Sequence, residues 1–278
     1  MDQRRMCPHC RAFITSKDKV CPYCHERIGP RAIDVREPGA ILGGFIPHAR
    51  FITMIILVIN FGLYLATVVF TQNAGLNGGF LSPDPRILIA FGAKYRAYIL
   101  GGGEWWRLVT AGFLHGGLLH IGMNSWALFD LGAQVEEIYG GSRLIVIYFL
   151  ATVFGFGLST FWTPALSVGA SAGIMGLIGA MIALGVHNRS SGVPSNHGMY
   201  VRWAVYMLIF GFLPGLNIDN AAHIGGLAAG FGAAYLAGTP RLGTSPREVL
   251  WRGAAAACVV MTAASFLMMY LWFTRNVQ

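Results

Sequence analysis

The sequence predicts an all-α membrane protein of seven spans with a small soluble head, and three observations predict it. Of the 278 residues, 55% are hydrophobic and only 12% charged, with a mean hydropathy of +0.55; a soluble domain carries about a quarter charged residues. Seven apolar stretches, at about 51–71, 114–135, 143–162, 168–187, 200–214, 221–238 and 252–273, approach the roughly 20 residues a helix needs to cross a bilayer. The first 50 residues are polar instead, hold four of the five cysteines and do not read as a cleavable signal peptide.

The head, residues 1–30, contains Cys7-Pro8-His9-Cys10 and Cys21-Pro22-Tyr23-Cys24. Two such knuckles supply the four thiolates of a tetrahedral structural zinc site. A segment this short cannot bury an adequate core, so a metal is a physically sensible staple. A redox pair or iron–sulfur ligation would use the same four thiols. His9 and His25 are surplus to a four-cysteine site. Residues 31–50, with Pro38, Gly39, Gly43, Gly44 and Pro47, read as a linker. Cys258 lies in an Ala-rich span, where packing is its expected role.

The formal net charge of +8 has a topological origin. With the N-terminus in the cytosol and seven crossings, 15 of the 20 Lys and Arg fall on the cytosolic side and 5 (Arg86, Lys94, Arg96, Arg107, Arg275) on the outer side, as the positive-inside rule expects. The C-terminus then lies outside, and nucleic-acid binding is not read from the charge. The outer loop of about 72–113 is too long and apolar for a simple connector. Its Trp105 and Trp106 suit the headgroup region.

Spans two, four and six then run from outside to inside. His120 and Asn124 stand in the first turns of span two, four apart and so on one helix face. Ser171 begins span four and His223 opens span six. All four share the outer level of the membrane, and ionisable groups there are functional candidates. Small residues on span four (Gly169, Gly173, Gly176, Ala180) and on span six (Gly226, Gly230) allow close helix approach. That approach would bring an imidazole base to a serine, which is a weak nucleophile without one. No carboxylate matches their depth: Asp130 and Glu136 lie toward the inner half of span two and Asp219 in an outer loop. A Ser–His dyad is the economical reading. The Ser171 backbone N–H, His120 and Asn124 are candidate oxyanion donors. Taken singly, the same residues also read as interhelical packing and hydrogen-bonding groups.

These motifs resemble the rhomboid family of intramembrane serine proteases. The resemblance covers about residues 51–238 and rests on Trp106-Arg107, on His115, His120 and Asn124 in HGGLLHIGMN, on GASA around Ser171, and on AAHIGGLAAG with His223, Gly226 and Gly230. It implies a six-helix core, with 239–278 supplying a loop and an extra seventh helix. It implies Ser171 as nucleophile, His223 as general base, and His120, Asn124 and the Ser171 backbone as the oxyanion hole. Trp106, Arg107, His115, Glu136, Gly226 and Gly230 become structural positions. Catalysis would need no cofactor, and the only metal expected is the Zn2+ of the head. The partners would be transmembrane protein substrates and the lipid bilayer of a bacterial-type inner membrane. Span five, with Phe210 and Phe212, would be the lateral gate. Met175 stands where the family often has an aromatic stacked on the histidine. A pseudoprotease that binds clients without cutting them is the rival within the same fold. A haem or metal protein using His115, His120 and His223 is the rival outside it.

Overall fold

The computed structural model describes residues 4–7, 12–15, 18, 20–25, 50–188, 197–213, 215, 217–239 and 245–276. Chain contacts divide it into two units, residues 1–48 with 241–245, and residues 49–240 with 246–278. In the first unit, β1 (Arg4–Met6) pairs antiparallel with β2 (Phe13–Thr15), Arg4 opposite Thr15 and Met6 opposite Phe13. The Cys7 N–H donates to the Ala12 carbonyl at 2.8 Å. The Asp18 carboxylate accepts from the Thr15 N–H (2.7 Å) and hydroxyl (2.9 Å), closing the turn after β2. Cys7, Ile14 and Cys21 form its small core.

The second unit is helical. Its first helix, α1 (Phe51–Asn73), has no capping side chain of its own. Glu136, 84 residues later, does that work: its carboxylate accepts from the Ile52 N–H (2.9 Å), the Thr53 N–H (2.9 Å) and the Thr53 hydroxyl (2.7 Å). A carboxylate on the free N–H groups of a helix start satisfies orphan donors and the macrodipole together.

The loop that follows α1 is structured. Asp84 caps α2 (Pro85–Ala90), with Pro at the first position where its missing N–H costs nothing. A π-turn (Ala97–Gly101), the short α3 (Arg107–Thr110) and a 3-10 turn (Ala111–Phe113) complete it. Trp106 departs from the headgroup expectation. It is buried, with the Arg107 guanidinium 4.5 Å over its ring, and Trp105 alone stays half exposed.

Span two is a composite of α4 (Leu118–Ala127), a π-turn (Leu128–Gly132) and α5 (Ala133–Tyr139). The π-turn shifts the helical phase between the half bearing His120 and Asn124 and the half bearing Glu136. Then come α6 (Gly141–Trp162), α7 (Ser171–Asn188), α8 (His197–Phe210), α9 (Asn220–Ala237) and α10 (Pro246–Asn276). Among the described residues, α1, α6 and α10 are long and apolar enough to cross a membrane by themselves, and α7 is a shorter apolar helix. The shorter helices reflect position: α7 is buried along most of its length, with Leu177, Ala180 and Ala183 fully enclosed, so it needs less apolar surface of its own. Around it lies the main core of Leu128, Leu131, Leu144, Ile147, Tyr148, Met175 and Ile178.

The small-residue stripe packs differently from the simple spacing. A Cβ on Gly226 would stand 2.2 Å from the Ala172 carbonyl oxygen, and one on Gly230 2.2 Å from that of Gly176; Gly179 faces the Leu227 carbonyl. The α7 face meeting α9 is thus Ala172, Gly176 and Gly179. Gly173 lies against the Tyr148 ring and Gly169 against His120.

Helix α10 is held at both ends. Arg143 of α6 makes a two-bond ion pair with Glu248 (2.7 and 2.8 Å). Near the other end, the Trp272 indole N–H donates to Glu104 at 2.8 Å, and Phe273 meets Phe70 and Phe91 edge to face. Cys258 packs against Val146 and Ala255, as expected of a buried apolar-like thiol.

Candidate functional site

Ser171 is the first residue of α7, so its N–H and the next ones are the unpaired donors of a helix start. The chain reaches it through Gly169, whose φ of +135° is one that side chains rarely adopt. Gly169 is also crowded: a Cβ there would stand 2.7 Å from His120 Nε2 and 3.5 Å from Asn124 Nδ2. Two side chains from α4 therefore converge on the backbone two residues before the serine. Asn124 is buried, and its Nδ2 makes no hydrogen bond to the protein among the described residues.

His223 is the fourth residue of α9 and 2% exposed. The backbone contact of Gly226 with Ala172 lies one residue past the serine and about one turn past the histidine, which sets Ser171 and His223 on facing turns. Gly155 of α6 fills the crotch of that contact: its Cβ would meet the Ala222 carbonyl at 2.7 Å, the Ala172 Cβ at 2.9 Å and the Gly226 nitrogen at 3.4 Å. Spacing within α7 and α9 could not reveal Gly155; only the third helix explains it.

His223 Nδ1 is buried with no protein partner among the described residues, so no carboxylate completes a triad. Asp219, read from the sequence as a loop residue beside span six, stands at the start of α9. It is the N-cap of α9, its side chain accepting from the Ala222 N–H at 3.0 Å. His115 is fully buried, its ring 5.2 Å from that of His120 in an edge-to-face arrangement. Phe210 ends α8, and both it and Phe212 are well exposed.

Arg107 anchors the loop between α1 and α4. It is fully buried, its Nε bonds Glu104 at 2.5 Å, and it donates to the carbonyls of Ile89 (2.6 Å) and Ala93 (3.3 Å). Its guanidinium lies over Tyr98 (4.9 Å), Trp106 (4.5 Å) and Trp272 (4.9 Å). A delocalised cation among aromatic faces with one carboxylate partner is favourable burial for Arg and not for Lys.

In the head, the Cys7, Cys21 and Cys24 sulfurs lie within 4.8 Å of one another, with Cys7 and Cys24 3.8 Å apart. Sulfurs bound tetrahedrally at about 2.3 Å from a metal are themselves about 3.8 Å apart. Cys10 and His9 lie outside the described residues.

The chain is similar to known proteins. The rhomboid domain family matches residues 102–240. "Rhomboid protease GluP" of Bacillus subtilis (strain 168) is 37% identical over 192 residues, 69% of this chain and 36% of that protein. "RHOMBOID-like protein 6, mitochondrial" of Arabidopsis thaliana is 35% identical over 161 residues, 55% of this chain and 50% of that protein. "Rhomboid-like protease 1" of Toxoplasma gondii is 30% identical over 250 residues, 87% of this chain and 82% of that protein. The chain thus spans only about a third to a half of the first two relatives.

Proposed function

The chain belongs to the rhomboid family, and from that premise we propose that it is an intramembrane serine endopeptidase acting through a Ser171–His223 dyad. The chain is a multi-pass membrane protein. Its substrates are transmembrane proteins, cut in or just outside the outer part of a membrane segment whose helix must locally unwind to expose the bond.

The observation that carries the dyad reading is the convergence of His120 and Asn124 on Gly169, beside the free N–H groups of the α7 start. In the first half-reaction, the Ser171 Oγ attacks the carbonyl carbon while His223 takes the hydroxyl proton. The oxyanion that forms accepts hydrogen bonds from the Ser171 N–H and the side chains of His120 and Asn124. The C–N bond then breaks, the leaving amine takes the proton from His223, and an acyl-serine remains. In the second half, water adds with His223 again as base, and the serine leaves with the proton. Donors fixed before the charge develops need no reorganisation, which is why they lower the barrier more than water does. The free Nδ1 of His223 suits a base that works without a third group.

Purified protein with a fluorescent transmembrane substrate in liposomes tests this reading. Ser171→Ala and His223→Ala should each abolish cleavage, with the double variant no worse than either, because the pair acts as a unit. Cleavage surviving Ser171→Ala removes the mechanism. A protein that neither cleaves nor takes a fluorophosphonate label is the pseudoprotease.

The head we read as a zinc ribbon bound by Cys7, Cys10, Cys21 and Cys24, on the sulfur spacing above. Its role is structural, and catalysis passes through the dyad alone. Zinc should be retained at neutral pH and released on acidification as the thiolates protonate. Elemental analysis finding no zinc in reduced protein overturns this.

A further inference from the structure

Ser171 and His223 sit on different helices, so something must fix one relative to the other, and the last turn of α6 does so from both sides. Lys94, in the outer loop, is fully buried. Its Nζ donates to the carbonyls of Thr163 (2.8 Å) and Ala165 (3.0 Å), and its backbone exchanges two 3.0 Å hydrogen bonds with Ser167. Two residues on, the Gly169 N–H donates to the Ala111 carbonyl at 2.9 Å. The segment from α6 to Ser171 is thus suspended from the outer loop, chiefly from one lysine.

On the other side, Asp219 links α9 to α6. One carboxylate oxygen caps the Ala222 N–H at 3.0 Å and the other accepts from the hydroxyl of Ser159, which is fully buried. Ser159 and Thr163 belong to one turn, since the Thr163 N–H donates to the Ser159 carbonyl at 2.9 Å. Burial pushes the Lys94 ammonium pKa down, and the Asp219 carboxylate opposes that shift. The cation steadies the serine's loop and the anion steadies the histidine's helix, on a shared frame.

We propose that Lys94 and Asp219 are positioning residues of the dyad, holding the Ser171 loop and the His223 helix in register through Ser159 of α6 and Thr163, the residue that caps its C-terminus. The proposal rests on Ser171 and His223 being nucleophile and base. Neither residue touches substrate. Each acts by preventing a relative shift of the reacting groups, and a shift of about 1 Å costs on the order of 100-fold in rate.

The test is the rate of fluorophosphonate labelling of the full chain in liposomes, with kcat, KM and Tm for a transmembrane substrate. Asp219→Ala, Ser159→Ala and Lys94→Met should each slow labelling and lower kcat by roughly 10- to 100-fold, with KM within about twofold, because substrate contacts are untouched. Asp219→Asn keeps an acceptor for the Ala222 N–H and should recover most of the rate, Asn being as good an N-cap as Asp. Asp219→Ala combined with Ser159→Ala should be no slower than Asp219→Ala, since both break one link. Val146→Ala, in the α6–α10 contact, controls for lost stability and should label at the wild-type rate. Wild-type labelling in Asp219→Ala, or an equal loss in Val146→Ala, overturns the inference alone. Wild-type protein that takes no label at Ser171 overturns the dyad and this inference with it.

Discussion

At the scale of single residues, Gly169 is the most constrained position near the serine. Its φ of +135° excludes most side chains, and His120 and Asn124 occupy the space a Cβ would need. Gly169→Ala should therefore displace His120 and Asn124, the proposed oxyanion donors, before it unfolds the bundle. The expected outcome is a kcat loss on the order of 100- to 1000-fold, as for removal of one oxyanion donor, with a small change in Tm. Cleavage kinetics alongside thermal unfolding would check it. Met175 gives a second prediction. It stands where the family resemblance puts an aromatic. Met175, however, is 1% exposed within the main core, and enlarging a packed site costs about 1–3 kcal/mol. Met175→Phe should lower the unfolding temperature, measured in detergent, instead of improving the orientation of His223.

At the scale of elements, the proposed dyad depends on how closely α6, α7 and α9 approach. Gly226 stands where the Ala172 carbonyl leaves no room for a Cβ, and a backbone oxygen cannot swing aside as a side-chain tip can. Gly226→Val should force α9 away from α7, abolishing labelling of Ser171 and lowering the Tm together; unchanged labelling would contradict the packing. The glycines of α9 were legible, because a GxxxG spacing beside a buried histidine has few other uses. Their counterparts on α7 were read less well. A period of 3–4 residues marks a small face but not the neighbour it meets, and Gly173 turned out to serve Tyr148 of α6. Gly155 and the link from Ser159 to Asp219 were not legible, since they join α6 to positions 60 or more residues later at the start of α9. Trp106 misled for a different reason. An aromatic beside an arginine reads equally as an interface anchor or as half of a cation–π stack, and burial alone separates them.

At the scale of the whole molecule, the seven apolar stretches and the split of 15 against 5 basic residues predict the topology. A reporter fused after Gln278 should lie outside the cytosol and one inserted near Ser191 inside it, as read by alkaline phosphatase and fluorescent-protein fusions. The last helix adds something that topology does not convey. Glu104 finishes its bonding only when Trp272 arrives 168 residues later, and the third aromatic face over Arg107 arrives with it. At the roughly 5–20 residues per second of synthesis, the outer loop waits about 10–30 s for its last support. Over the last 49 residues of that interval, roughly 2–10 s, the proposed nucleophile and base are both made but the loop from which the serine segment hangs is incompletely braced. A chain stopped at Ser245 should insert yet label slowly at Ser171, and co-expression of residues 246–278 as a separate helix should restore the rate. That outcome would make the order of translation a delay on maturation, with full labelling reached only once the chain's own C-terminal helix has been inserted.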